Sequence, residues 1–144
     1  MTQLVCPACF RVNRVPQERL GDRPKCGSCH VLLLDGKPVN LTGEHFDTFV
    51  FRNELPTVVD FWADWCAPCK AFSPVFARAA QEHNLRLRFG KLDTEAEPDI
   101  AQRYGIRSIP SLLMFRQGEE IDRVAGALDP AALRTWLLRH ADQR

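Results

Sequence analysis

The tightest constraint on this chain is one junction. Thr57-Val58-Val59-Asp60-Phe61-Trp62 is an apolar, β-branched run that stops abruptly. Ala63-Asp64-Trp65 follows, then Cys66-Ala67-Pro68-Cys69-Lys70 and a helix-permissive sequence. The pattern predicts a buried strand over 57–62 and a helix from Ala67 to about His83. Cys66 then stands at the helix N-terminus and Cys69 one turn in, with the two sulfurs in bonding reach. Free N–H groups and partial positive charge at a helix start favour a thiolate at Cys66. A reactive thiol with a second thiol beside it is a dithiol–disulfide couple.

The other four of the six cysteines lie upstream. Cys6-Pro7-Ala8-Cys9 and Cys26-Gly27-Ser28-Cys29 are two C-x-x-C pairs sixteen residues apart, the spacing of a zinc ribbon or paired-knuckle site. Gly27 is expected to supply the backbone freedom of the tight turn. Between the pairs only Phe10, Val12, Val15 and Leu20 can be buried, so a segment this short needs a staple. One structural Zn2+ is the expected ion. A pair of disulfides and an iron–sulfur cluster are the alternatives for the same four thiols. Cys26-Gly27-Ser28-Cys29-His30 also spells the c-type haem pattern. The upstream partner pair and the lack of an export signal argue against haem, and His30 reads as a polar neighbour.

The length of 144 residues suits one domain plus a small appendage. Asp35-Gly36-Lys37-Pro38 is a turn-rich joint, so the expected units are a metal module over 1–38 and a main domain over 39–144. Val31–Leu34 reads as a short closing strand of the module. In the main domain, helices are expected over 42–49 with Thr42 as N-cap, over 98–104 ended by Gly105, and after Asp129-Pro130. Pro74 should kink the long helix. Strands are expected over 85–92, 112–115 and 121–125, the last two joined by a turn at Gln117-Gly118-Glu119. This alternation predicts an α/β fold, a mixed sheet flanked by helices.

A net charge of +1 with scattered Lys and Arg gives no nucleic-acid footprint. Arg11, Arg14, Arg19, Arg23 and Lys25 are basic, but four thiolates around one Zn2+ leave a net negative site. No apolar run is long enough for a membrane span. The start MTQLVCPAC shows no secretory signal pattern. The sequence therefore points to a cytoplasmic monomer without nucleic-acid or membrane partners, where six cysteines are for metal and catalysis rather than structural disulfides.

From Val39 on, the chain resembles the thioredoxin family. The carriers are VDFWADWCAPCK at 59–70, KLD at 91–93, YGIRSIPSLLMF at 104–115 and AGAL at 125–128. With the four-cysteine segment in front, it resembles the bacterial thioredoxin 2 type. The resemblance implies a thioredoxin fold and a protein-disulfide reductase, recharged by an NADPH-dependent flavoprotein, thioredoxin reductase, and acting on disulfide-containing proteins. The family's usual dipeptide between the active cysteines is Gly-Pro; here it is Ala67-Pro68, a departure expected to bear on redox potential.

Within that resemblance Cys66 is the expected nucleophile and Cys69 the resolving thiol. Asp60, a carboxylate inside an apolar strand, should have its pKa raised by burial and serve as the base for Cys69. Lys91 on the neighbouring strand is its expected charge partner. Pro110 is the expected cis-proline of a loop facing the cysteines, with the Ile109 backbone pairing to an extended substrate. Trp65, Ala67, Pro68, Ile109, Pro110, Gly126 and Ala127 are the expected docking surface. Trp62 reads as packing, and His45, His83 and His140 as bland positions. Two rival functions remain: an oxidant or isomerase of the same fold, and a redox-responsive module that releases its metal when Cys6, Cys9, Cys26 and Cys29 are oxidised.

Overall fold

The computed structural model describes residues 1–141; residues 142–144, the end of the expected main domain, lie outside the described residues. A five-stranded sheet organises the chain. Its strands are β3 (Val39–Asn40), β4 (Thr57–Trp62), β5 (Arg88–Asp93), β6 (Ser111–Arg116) and β7 (Glu119–Ala125), ordered β3-β5-β4-β6-β7. The first three strands of that order run parallel, and β6 and β7 are antiparallel additions. Preceding them is a hairpin of β1 (Thr2–Val5) and β2 (Val12–Val15), followed by a 3-10 turn over Gln17–Asp22.

β4 is buried on both faces because its neighbours in the sheet are covered on both sides. Val58 belongs to a cluster with Phe72, Phe76, Phe89, Leu112, Met114 and Leu133. Val59 belongs to a second with Phe46, Phe49, Leu92, Ile100 and Leu113. The first layer is made by α2 (Ala67–Glu82) and α4 (Pro130–Ala141), the second by α1 (Phe46–Arg52) and α3 (Pro98–Arg103). The one-residue alternation of a strand thus sends Val58 and Asp60 to the α2 side and Val59 and Phe61 to the α1 side.

Several local expectations are corrected. α1 begins at Phe46, not Thr42, and no side chain caps it. Thr42 instead closes a turn through its carbonyl, which accepts the N–H groups of His45 and Phe46 at 3.1 and 2.9 Å. β5 begins at Arg88, and Leu85 is exposed, because the chain turns at His83, whose carbonyl accepts from Arg86 and Leu87 at 3.0 Å. Val31–Leu34 is no strand; Leu32 makes one isolated bridge to Lys25. Asp129 does cap α4, its Oδ1 accepting the Ala132 N–H at 2.8 Å. Pro74 sits inside α2, as read.

The N-terminal segment packs directly on the main sheet. Its small core of Leu4, Cys6, Val15, Leu20, Cys26 and Leu33 borrows Leu55 from the chain entering β4. Val5, with Phe10 and Val12 against it, joins the α1-side cluster. Arg88, at the start of β5 and 5 % exposed, is the polar bolt between them. Its guanidinium donates to the Val5 carbonyl at 3.0 Å, the Leu33 carbonyl at 3.1 Å and Asn53 Oδ1 at 2.6 Å, and lies over the Phe49 ring. Asn53 in turn accepts the Val5 N–H at 2.8 Å. Burial lowers the Arg88 pKa to about 10, still above neutrality, so it remains a cation. His45 stacks on Phe10 at 4.0 Å between ring centroids, a role its sequence position did not disclose.

Candidate functional site

α2 begins where the sequence places its first cysteine. Cys66 is the N-cap residue, its Sγ accepting the Cys69 N–H at 3.2 Å. Pro68, in the first turn, has no N–H to satisfy there and its fixed φ suits a helix start. Cys66 and Cys69 are joined as a disulfide with Cα atoms 5.2 Å apart. Both are buried among Ala63, Trp62 and Ile109. The sulfur that would become the thiolate therefore already has an N–H donor and the positive end of a helix beside it.

Asp60 lies on the α2 side of β4, fully buried, and neither carboxylate oxygen has a hydrogen-bond partner among the described residues. Burial pushes its pKa up from 3.8 to about 7, opposed by the charge of Lys91. Lys91 is its direct register partner on β5, and Leu112 its partner on β6. Lys91 acts on Asp60 through space: its Nζ donates to Ser73 Oγ at 3.0 Å and sits 4.7 Å from the centre of the Trp62 ring. Ser73 is a member of this group that sequence reasoning missed. The signal was its position four residues after Cys69, which puts both on one face of α2.

Beside the cysteines, Pro110 is buried and Ile109 and Gly126 are half-buried. Ile109–Pro110 is a cis peptide, and the Ile109 carbonyl oxygen lies 3.8 Å from Cys66 Sγ. Gly126 has φ +99°, its N–H donates to the Pro110 carbonyl at 2.8 Å, and a Cβ there would meet nothing within 4 Å. Ala67, Pro68 and Ala127 are exposed. Trp65 is 69 % exposed, its indole N–H donating to Glu95 Oε1 at 2.5 Å.

Some distance away, four sulfurs converge. The Sγ atoms of Cys6, Cys9, Cys26 and Cys29 all lie within 4.8 Å of one another. Cys6 Sγ is 3.5 Å from Cys29 Sγ, and Cys9 Sγ 3.7 Å from Cys26 Sγ. A tetrahedral ion with bonds of about 2.3 Å holds its sulfurs about 3.8 Å apart, so the set fits Zn2+. The two halves are built alike. Phe10 N–H returns to the Cys6 carbonyl and His30 N–H to the Cys26 carbonyl, at 3.1 and 2.9 Å. The left-handed residues that close these loops are Phe10 (φ 62°) and His30 (φ 68°), not Gly27 as expected. N–H groups of Ala8 and Cys9 donate to Cys6 Sγ, and that of Ser28 to Cys26 Sγ, each at 3.4 Å. Asn13 ties the halves, accepting the Gly27 N–H at 2.9 Å and donating to Cys26 Sγ at 3.5 Å. Backbone N–H donation holds the Cys26 thiol down at about 5, while burial pushes Cys6 up to about 12. A cation is what would allow all four to be thiolates together.

Comparison with known proteins agrees with this geometry. Residues 37–139 match the family model described as thioredoxin, and residues 5–31 the one described as thioredoxin 2, N-terminal. The chain is 40% identical over 141 residues to thioredoxin C-3 of Corynebacterium nephridii, covering 98% of this chain and 97% of that protein. It is 42% identical over 100 residues to the thioredoxin of Porphyra purpurea, covering 69% of this chain and 94% of that one. Among solved structures, thioredoxin of Malassezia sympodialis superposes with a TM-score of 0.68 at 34% identity, over 78% of this chain and 98% of the other. With its paired cysteines at a helix start and its four-sulfur ribbon in front, this chain belongs to the thioredoxin family of disulfide oxidoreductases, in the form that carries a thioredoxin 2 zinc-ribbon domain.

Proposed function

We propose that the chain reduces protein disulfides through Cys66 and Cys69 and is recharged by an NADPH-dependent flavoprotein reductase. The observation that carries this reading is the Cys66–Cys69 couple at the start of α2, with Ile109 of the cis Ile109–Pro110 peptide packed against it. In the reduced protein the Cys66 thiolate attacks one sulfur of the target disulfide and expels the other as a thiolate. The Cys69 thiol gives its proton to Asp60 through an intervening water, and its thiolate attacks Cys66 Sγ in the mixed disulfide. The target leaves with both sulfurs reduced, and Cys66–Cys69 carries the oxidised bond. A carboxylate titrating near 7 is matched to accepting and returning a proton at neutral pH. Lys91 limits how far burial raises that value.

Trp65, Ala67, Pro68, Ile109, Pro110, Gly126 and Ala127 form the docking face in this reading. Gly126 lets an extended target backbone come close, and the Ile109 peptide is placed to pair with it. A flat apolar face reads exposed disulfides with little sequence preference. This direction of electron flow belongs to a reducing compartment such as the cytoplasm.

Cys6, Cys9, Cys26 and Cys29 would hold one Zn2+, which supplies cross-links to a module over 1–38 whose own core is small; the reductase domain is then 39–144. The test is trapping. Cys69→Ser should accumulate a mixed disulfide with a model disulfide protein, visible by mass spectrometry at Cys66, and lose turnover. Cys66→Ser should trap nothing. A Cys69→Ser protein that turns over normally would overturn the reading.

A further inference from the structure

The row Asp60, Lys91 and Ser73 poses a physical question. Asp60 and Lys91 are direct register partners on adjacent parallel strands, and both project to the α2 side. A buried carboxylate without a hydrogen-bond partner and a neighbouring ammonium would ordinarily close into an ion pair. They do not. The Lys91 ammonium is occupied elsewhere, donating to Ser73 Oγ at 3.0 Å and resting 4.7 Å from the Trp62 ring centre. Both Asp60 oxygens are left without a hydrogen-bond partner among the described residues.

We propose that Ser73 is a positioning residue: its hydroxyl holds the Lys91 ammonium off the Asp60 carboxylate, in a seat closed on the other side by the Trp62 ring. The seat has two walls from different elements. Trp62 ends β4, two residues beyond Asp60, and attracts the cation by the negative face of its ring. Ser73 is in α2, four residues beyond Cys69, so the residue that seats the lysine and the thiol that must lose its proton ride on one helical face. An ammonium has three N–H donors and a flexible stem, so it follows the nearest acceptor. Removing the Ser73 oxygen leaves the free Asp60 carboxylate as the acceptor in reach. Beside Asp60, β5 contributes Lys91 and β6 the apolar Leu112, and Lys91 is the one charge that acts on the carboxyl among the described residues, so it decides the balance.

The inference rests on the reading of Asp60 as the base, and the test separates the two. Ser73 is half-buried in a helix, where Ala is the better helix former, so Ser73→Ala should fold. The Asp60 side-chain carboxyl is followed by carbon-13 NMR against pH, in the full chain loaded with zinc and oxidised at Cys66–Cys69. Ser73→Ala should lower its titration midpoint by about one pH unit, as an approaching cation does. Ser73→Thr, which keeps a hydroxyl, should leave the midpoint in place. An unchanged or raised midpoint in Ser73→Ala would overturn the inference. The pH profile of mixed-disulfide resolution is measured on the same variants. A profile that moves down with the midpoint supports both readings. A lowered midpoint with an unmoved profile keeps the role of Ser73 and removes Asp60 as the base.

Discussion

Replacing Asp60 by Asn should make the protein more stable at high pH, by an amount the burial of the carboxyl sets. In the folded chain Asp60 holds its proton to about pH 7, whereas an unhindered aspartate loses it near 3.8. A group whose folded pKa is raised contributes stability that is fully present below the unfolded value. That contribution is lost as pH rises through the folded one, because the unfolded chain ionises first at no cost. Each pH unit between the two values is about 1.4 kcal/mol. The full gap is therefore worth about 4 kcal/mol, and the part between pH 5 and pH 7 about 3 kcal/mol. Asparagine keeps the shape and cannot ionise. Urea unfolding at pH 5, 6, 7, 8 and 9 would be followed by far-ultraviolet circular dichroism, with both proteins oxidised and zinc-loaded. The variant's advantage over the parent should grow by about 3 kcal/mol from pH 5 to 7 and then level off above about pH 8. A difference that stays constant across the series would show that Asp60 titrates as an exposed aspartate does, and would remove the physical basis for its role as a base.

Two further outcomes test the joint and the metal centre. Arg88→Met takes a charged donor from the Val5 and Leu33 carbonyls and from Asn53. Each buried acceptor left unmade costs about 1–3 kcal/mol, partly offset by no longer burying a cation, so the net loss should be about 2–4 kcal/mol in chemical denaturation, with faster amide exchange in β1 and β2. An unchanged midpoint would mean that apolar packing alone holds the segment. Stripping metal with a chelator removes on the order of 10 kcal/mol of binding free energy from a site of this kind. Exchange should rise across residues 2–33 while disulfide reduction by Cys66 persists, because the active cysteines sit at the far end of β4 from the Arg88 joint; retention of full protection would argue against a structural ion.

Much of the chemistry was legible because it depends on short-range pattern. The strand Thr57–Trp62, the helix start at Ala67 and the Asp129 cap each follow from neighbours a few residues apart. The two C-x-x-C pairs announced a four-sulfur site by spacing alone, and the sulfurs do converge. The misreadings fall where the hydrogen bonds of a tight turn decided, which side-chain pattern does not display. Leu85 alternates with Leu87 and Phe89 as a strand should, yet the turn at His83 puts it outside the sheet. Phe10 and His30, not Gly27, adopt the left-handed backbone, at the residues whose N–H groups return to the Cys6 and Cys26 carbonyls and close the loops.

By itself the sequence determined that a dithiol couple stands at a helix start, that four cysteines form one cluster, and that the rest alternates into a mixed sheet. Periodicity, capping and ligand spacing are local, and a single chain displays them. Only the tertiary structure decided which partner each buried polar group takes. It seats Lys91 on Ser73 and Trp62 rather than on Asp60. It also buries Arg88 where the ribbon meets the sheet. Those choices depend on register across strands and on the packing of α2 over them, which bring together residues that no spacing in the sequence relates.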